Sequence, residues 1–361
     1  MGSDEGTVRM AVIGGGFGGS FHWHEHPGCR VEAVADPIPD RRKRLVERYG
    51  CDKTYESLDE VLRDDRVDAV AVFSGAPDHA RHCIAVMDAG KHCFCAVPVA
   101  QTLEDCAAVI DAKERNGVLY MMAETSYYRW DTMTARDLFA EGAFGELKYT
   151  EAEYYHPLIG AERDSLSYYE GKRTWRYGYP PMLYPTHSTA FLVGVSRERL
   201  VDVSCLGTRG ADVAFPDNVY GNPFDNQVAL FRTSEDHIFR CNVMWNAWNH
   251  GERAQWFGTD LSLFMEGWSG QPRVIKAVGK DDVTEQADYW HLLPEPMRYD
   301  TGHGASHAFL TNEFVQAILE KREPAVNVYE AVAMTAPGIV AHQSAFRGGE
   351  QMEVPSFDPA G

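Results

Sequence analysis

One stretch near the start restricts the fold more than any other. Residues 10–13 are apolar and run without a break into Gly14-Gly15-Gly16-Phe17-Gly18-Gly19, and residues 30–36 form a second, largely apolar run that ends in Asp36. The pattern predicts a strand, a glycine-rich turn, a helix and a second strand closed by an acid. Each glycine has a physical task in such a unit: Gly14 allows the tight turn, Gly16 lets the backbone approach a pyrophosphate, and Gly19 lets the helix pack close to the strand. Together with Phe17 and Gly18 they make a turn whose following helix offers N–H groups to phosphates. Asp36 is placed to accept hydrogen bonds from both hydroxyls of an adenosine ribose and to repel a 2′-phosphate. The stretch therefore points to NAD rather than NADP.

The remainder of the chain agrees with an α/β protein of two domains. Its 361 residues are enough for two cores. The formal charge of −19 argues against nucleic-acid binding, which needs a basic surface to replace counterions. No apolar run is long enough to span a membrane, and the first nine residues lack the basic and apolar regions of a signal peptide. Eight cysteines show neither a CxxC nor a zinc spacing; reduced, partly buried thiols in a cytoplasmic protein are expected. His22, His24 and His26 cluster in sequence, but neighbouring helix positions diverge in direction, so no metal site is read there.

From residue 39 to 125 short apolar runs alternate with amphipathic segments. Helices are expected at Pro39–Tyr49, at Leu58–Leu62 with Ser57 as cap, at residues 80–89, and at Leu103–Asn116 ended by Gly117. Strands are expected at residues 67–73, 92–95 and 118–123. Near-continuous apolar strands of this kind are buried on both faces of a parallel sheet, which predicts a nucleotide-binding domain over residues 8–125. Ligand loops lie at the carboxyl ends of such strands. That marks Ser74, Pro77 and His79 after one strand, Ala96, Val97 and Pro98 after the next, and Glu124 after the last, as candidate cofactor contacts.

Beyond residue 126 the texture changes. Alternating strands at residues 148–154, 200–206, 226–232, 237–245, 253–258 and 260–266 predict a large, mostly antiparallel open sheet. One face packs on helices and the other serves as a subunit interface, and Trp245, Trp248 and Trp256 suit such a face. Residues 156–184 are rich in Tyr, Trp, Arg, Gly and Pro, and read either as a sugar-binding wall containing Trp175 and Arg176 or as an arm embracing another subunit. Tyr184-Pro185-Thr186-His187 enters a helix. His187 is the candidate acid/base group, with Tyr184 beside it. His307, in the first turn of a helix near the C-terminus, is a candidate substrate contact. The second domain is expected to run from 126 to 355, with a helical segment at about 328–347 packing back on the first.

These motifs resemble the Gfo/Idh/MocA family of glucose–fructose oxidoreductases and inositol dehydrogenases. The resemblance rests on the glycine turn, Asp36, the 74–79 loop, Phe144-Gly145-Glu146-Leu147 and His187. It implies an N-terminal Rossmann domain, a C-terminal α/β domain with an open sheet, and a homodimer or homotetramer built through that sheet. It also implies NAD-dependent oxidation or reduction of a sugar, sugar derivative or cyclitol. Two departures stand out: Ala96-Val97-Pro98 replaces the family's Glu-Lys-Pro, so the usual catalytic lysine is absent, and Leu183 stands where members often carry Asp. Tyr184-Pro185-Thr186-His187 resembles the family's NAD-dependent glycosidase branch, in which transient oxidation at C3 permits elimination of the glycoside. A third possibility is an NAD- or sugar-binding sensor without catalysis.

Overall fold

The computed structural model describes residues 6–209 and 215–359. The chain forms two compact units, one of Met1–Arg129 with Asp288–Val332 and the other of Trp130–Ala287 with Ala333–Gly361.

In the first unit, β1 (Val8–Ile13), β2 (Cys29–Ala35), β3 (Thr54–Tyr55), β4 (Ala69–Val72), β5 (His92–Cys95) and β6 (Tyr120–Met122) form one sheet in the order β3-β2-β1-β4-β5-β6. Every pairing is parallel. Their apolar runs are buried on both faces, which is why the strands do not alternate in sequence. The expected helices are present at Pro39–Tyr49, Leu58–Leu62, His79–Asp88 and Leu103–Asn116. Ser57 caps the second, and the Glu60 carboxylate reciprocates by accepting from the Ser57 N–H at 3.3 Å.

The segment after the glycine turn differs from expectation. Instead of an α-helix, the chain makes two 3₁₀ turns, Gly18–Ser20 and Trp23–Glu25. The cause lies in what this segment buries. Phe21 and Trp23 are both inaccessible and pack against Phe94 at ring-centroid distances of 5.3 and 4.9 Å. Side chains two residues apart do not share a helical face, so burying both in one core requires a non-α path. The Tyr49 hydroxyl also donates to the carbonyls of Gly18 and Phe21. The glycine roles shift accordingly. A Cβ on Gly18 would lie 2.9 Å from Val12, whereas one on Gly19 would meet nothing closer than 3.9 Å. Close packing on the strand is thus the task of Gly18.

Asp288–Val332, expected in the second domain, belongs to the first unit. Its helix Ser306–Glu320 seats Phe314 against Phe94 at 5.3 Å and Trp23 at 6.2 Å, and Asn312 meets His26 at 3.1 Å. Each fully buried aromatic ring contributes roughly 1.5–3 kcal/mol of transfer free energy, enough to bind this late segment to the earlier strands.

The second unit is built on an eight-stranded sheet. Its strands are β7 (Leu147–Tyr155), β10 (Leu200–Thr208), β11 (Asn226–Thr233), β12 (Ile238–Met244), β13 (Gly251–Gly258), β14 (Leu261–Phe264), β15 (Val274–Ala277) and β16 (Met352–Glu353). A separate hairpin pairs β8 (Tyr168–Tyr169) with β9 (Lys172–Arg173). The order is β15-β14-β13-β7-β12-β11-β10-β16, antiparallel except for β7 beside β12. One face carries the helix Thr186–Ser196, whose residues 186–195 are all buried. Trp245 and Trp256 lie inside rather than on an exposed face: both are buried, and their indole N–H groups donate to Tyr179 O and Phe191 O at 2.8 Å. Only Trp248 is exposed, at 85%.

The helix Val328–Phe346 passes from one unit to the other, its residues from Ala333 belonging to the second. There the Thr189 hydroxyl donates to Met334 O at 2.7 Å, and the Cys205 N–H to the Ser344 hydroxyl at 2.9 Å. A Cβ on Gly338 would lie 2.3 Å from Met182 O and 2.4 Å from Pro185. Gly→Ala inside a helix ordinarily stabilises by about 1 kcal/mol. Here the clash reverses the sign, and G338A is expected to lower unfolding free energy by about 2 kcal/mol, read as a lower midpoint in urea titration.

Candidate active site

Because every pairing in the first sheet is parallel, the carboxyl ends of its strands share one edge. Within two residues of the ends of β1, β2, β4, β5 and β6 lie Gly14, Asp36, Ser74, Ala96 and Glu124. β1 lies between β2 and β4, so the chain reverses its winding direction there, at the point where open α/β sheets hold ligands. Gly14 has φ +93°, and a Cβ on it would lie 2.2 Å from Phe73 O; no other residue fits. A Cβ on Gly16 would meet nothing closer than Arg41 Nη1, 4.0 Å away, so the space against this bare backbone is open. The Asp36 carboxylate is buried. One oxygen accepts from Gly15 N–H at 2.7 Å and the other from Ile38 N–H at 2.8 Å. Each oxygen retains a second lone pair, as recognition of two adjacent hydroxyls requires. Open backbone at Gly16 beside a diol-accepting carboxylate fits a dinucleotide.

The neighbouring loops are held by His79. Its ring nitrogens lie 2.7 Å from Pro98 O and 2.9 Å from Ser74 O, and the side chain is 1% exposed. His79 is a clasp between two loops, and this engagement leaves it no free edge for a cofactor. The Ser74 hydroxyl lies 2.8 Å from His82 Nδ1, Pro77 begins the first turn after that loop within Ala76–Asp78, and Val97 is buried beside Pro98. Glu124 is fully buried and accepts from Ser126 N–H at 2.8 Å, capping the turn Thr125–Tyr128. Of the sequence-clustered histidines, His22 and His24 both meet the Glu25 carboxylate, at 3.1 and 3.5 Å, whereas His26 meets Asn312 at 3.1 Å.

The second unit gathers a different chemistry. His187 lies in the first turn of its helix, is 6% exposed, and places Nδ1 3.7 Å from a Glu252 oxygen. Its ring packs on Tyr154 at 4.6 Å and on Tyr184 at 5.3 Å. Trp245 stands edge-on to Tyr154 and Tyr184. The Arg176 guanidinium lies 4.3 Å from the Trp175 ring and 5.4 Å from the Tyr184 ring. Thus Tyr184, His187, Trp175 and Arg176 form one neighbourhood. Sequence reasoning missed Tyr154, His156, His250 and Glu252, because strand pairing alone brings them there: Tyr154 is opposite Glu252 across β7 and β13. A histidine with a carboxylate 3.7 Å from its ring suits general acid/base chemistry; flanking rings and a guanidinium provide stacking surface and hydroxyl donors.

His307, expected to touch substrate, is buried instead. Its Nδ1 lies 3.1 Å from Ser20 O and its Nε2 2.9 Å from His303 Nδ1.

Comparison with known proteins agrees with this geometry. Residues 8–124 match the model of the oxidoreductase family with an NAD-binding Rossmann fold, and residues 248–360 match the C-terminal domain of glycosyl hydrolase 109. Over residues 8–124 the chain is thus similar to the Gfo/Idh/MocA oxidoreductases, and NAD is its cofactor. Among relatives, a glycosyl hydrolase family 109 protein of Solibacter usitatus is 26% identical over 397 residues, covering 98% of this chain and 88% of the relative. One from Shewanella pealeana is 31% identical over 194 residues, covering 50% and 42%. Among solved structures, an NAD binding oxidoreductase from Klebsiella pneumoniae superposes with a TM-score of 0.80 at 17% identity, covering 97% of this chain and 100% of that one. Levoglucosan dehydrogenase in complex with NADH gives 0.80 at 18%, with the same coverage. Among the described residues no helix is long and apolar enough to cross a membrane.

Burial keeps several histidines uncharged. It pushes His156 down to about 3, aided by the nearby charge of Arg176, and His307 to about 3, aided by His303. Burial alone takes His342 to about 4. The unfolded chain regains the ordinary value of 6.5, so in acid it binds protons that the folded chain refuses. Stability therefore falls as pH drops from about 6.5 towards 4, by up to about 1.4 kcal/mol per pH unit for each such histidine. Urea titrations at pH 7.5, 6 and 5 are expected to show this loss, and H342Q to reduce its slope.

Proposed function

We propose that the chain acts on a carbohydrate, oxidising a ring hydroxyl with NAD, and that His187 and Tyr184 handle the protons. The observation that carries this reading is the buried His187–Glu252 pair within the ring-lined neighbourhood of Tyr154, Tyr184, Trp175 and Arg176. NAD, when bound, supplies the acceptor for a hydride from a sugar carbon. Gly14, Gly16, Phe17, Gly18, Gly19 and Asp36 hold it, with Ser74, Pro77, Ala96, Val97, Pro98 and Glu124 beside it. Glu252 orients the His187 imidazole, which takes the proton of the reacting hydroxyl; this replaces the lysine that Val97 displaces. Tyr184 assists through its phenol, and Trp175 stacks on the sugar while Arg176 binds hydroxyls. A solved neighbour in complex with NADH and levoglucosan supports the choice of substrate class.

A second reading makes the oxidation transient and the net reaction glycoside cleavage. The match of residues 248–360 to the glycosyl hydrolase 109 C-terminal domain and the full-length relatives of that name favour it. In this form His187 or Tyr184 also removes the proton that the adjacent ketone acidifies, and the bond to the leaving group breaks. The reading further places the protein in the cytoplasm as a homodimer or homotetramer. The sheet face away from the helices, with Leu206, Leu230 and Ile238 exposed at 65, 52 and 45%, forms the interface. Light scattering is expected to give a mass of two or four chains, and L230D to reduce it to one.

The reactions separate on a panel of 4-nitrophenyl glycosides and free sugars with NAD. NADH accumulating in step with sugar supports net oxidation; nitrophenol release with no net NADH supports cleavage; neither, for a protein that binds NAD, sinks both. H187A is expected to lower kcat by about 10²–10⁴-fold with NAD affinity unchanged.

A further inference from the structure

Arg176 has an uncommon setting for a cation in this chain. The sequence carries 53 acidic and 34 basic residues, so carboxylates are plentiful, and Arg9, Arg66, Arg240 and Arg322 each pair with one. Arg176 does not. Among the described residues its guanidinium makes neither an ion pair nor a hydrogen bond. The hydrogen bonds of this residue are made by its backbone: the N–H donates to the Thr174 hydroxyl at 3.2 Å, and the carbonyl accepts from Tyr179 N–H at 3.2 Å. The guanidinium instead rests on two rings, 4.3 Å from Trp175 and 5.4 Å from Tyr184. Ring contacts steady the plane of the group without neutralising its charge. The side chain is only partly buried, so a ligand from solvent reaches it.

The adjoining strands bring imidazoles to the same place. Tyr154 is opposite Glu252 across β7 and β13, and Tyr155 is opposite Gly251. Alternation therefore puts His156 and His250, next along each strand, on the face that carries Tyr154. Their ring centroids lie 4.6 Å apart, and His156 Nδ1 has no hydrogen-bond partner among the described residues. Burial, then the charges of Arg176, His250 and His187, all push His156 down. None of these influences comes from a carboxylate. The region is a basic island in a chain of net charge −19, with one fixed positive charge on Arg176 beside the neutral imidazole of His156.

A hydroxyl leaves that charge uncompensated. A carboxylate balances it one for one, and its two oxygens fit two parallel N–H groups of the guanidinium fork. Its remaining lone pairs accept from an imidazole N–H. A phosphate monoester, at about −1.5 to −2 near pH 7, brings more charge than one guanidinium balances.

We propose that the sugar bound by the second unit carries a carboxylate, as in a uronic acid or its glycoside, and that Arg176 binds this carboxylate with His156 beside it. This rests on the assignment of a carbohydrate to the ring-lined neighbourhood, and it names the subclass selected there.

The test compares sugars that differ at one carbon. 4-Nitrophenyl β-D-glucuronide and β-D-glucoside differ only at C6, carboxylate against hydroxymethyl, and the α-linked and galacto pairs differ in the same way. Each is titrated by calorimetry at pH 7.5 into NAD⁺-loaded wild type, R176Q and R176K, with melting temperatures recorded. In at least one pair the wild type is expected to bind the uronide about 10–100-fold more tightly than its neutral counterpart, the worth of charge-assisted hydrogen bonds. R176Q is expected to weaken the uronide about tenfold more than the neutral glycoside. R176K, which keeps the charge but not the fork, is expected to recover part of that difference. Neutral glycosides bound by the wild type as tightly as the uronides, or more tightly, overturn the proposal whatever the variants do. A uronide preference that survives in R176Q with an unchanged melting temperature overturns it too. If R176Q melts early, the wild-type pairs and R176K decide. No glycoside of either kind binding to a protein that binds NAD⁺ refutes the carbohydrate assignment itself, and the proposal with it.

Discussion

The first unit depends on a single carboxylate. Asp36 ends β2, yet its two oxygens accept backbone N–H groups from the glycine turn after β1 and from Ile38, at 2.7 and 2.8 Å. Hydrogen bonds to a charged group contribute about 1.5–3 kcal/mol each, and here they bind the ends of neighbouring parallel strands to one another. Gly14, at positive φ beneath Phe73 O, and the open backbone at Gly16 are held in place by that tie. On the proposed reading, the residue that organises the turn would also accept an adenosine diol, so structure and cofactor choice would rest on the same two oxygens.

The division of labour between the units follows from their sheets. The parallel sheet brings loop after loop to one edge and so builds a site from backbone, with glycines, a proline and carbonyls clasped by His79. The mixed sheet builds from side chains. Its register puts Glu252 across from Tyr154, and the buried helix Thr186–Ser196 lays His187 against them. On the proposed reading, the His187 imidazole supplies the proton transfer that the apolar Val97 cannot.

Much of this was legible in the sequence where the signal is local. The runs that became β4 and β5, the helix Leu103–Asn116 and the capping Ser57 are set by neighbours within a few residues. The strands of the second sheet alternate because one face is covered. What escaped was set by distance along the chain. The 3₁₀ turns after Gly18 exist because Phe21 and Trp23 share a core with Phe94 and with Phe314, nearly three hundred residues later. Asp288–Val332 reads as a continuation of the second domain and is claimed by the first through those same rings. Glu252 and His156 carry no motif, and only strand pairing reveals them. His307 showed the reverse: a residue type suited to binding, placed by the fold where it can only brace a neighbour.

Neither unit is continuous in the chain, and this governs the order in which the molecule can be made. As synthesis proceeds from the N-terminus, β1 to β6 are complete by Met122, but the helix that covers Trp23 and Phe94 emerges only after residue 306. The second sheet waits still longer, since β16 at Met352–Glu353 is its edge and pairs with β10. At its centre, β7 must find β12 across 89 positions, from Tyr149 to Ile238, a loop closure whose entropy is lost before any contact offsets it. A nascent chain therefore holds exposed aromatic surface for most of its time on the ribosome. A fragment cut at the apparent domain boundary lacks Phe314, and so leaves the Trp23 and Phe94 rings without the side chain that packs on them.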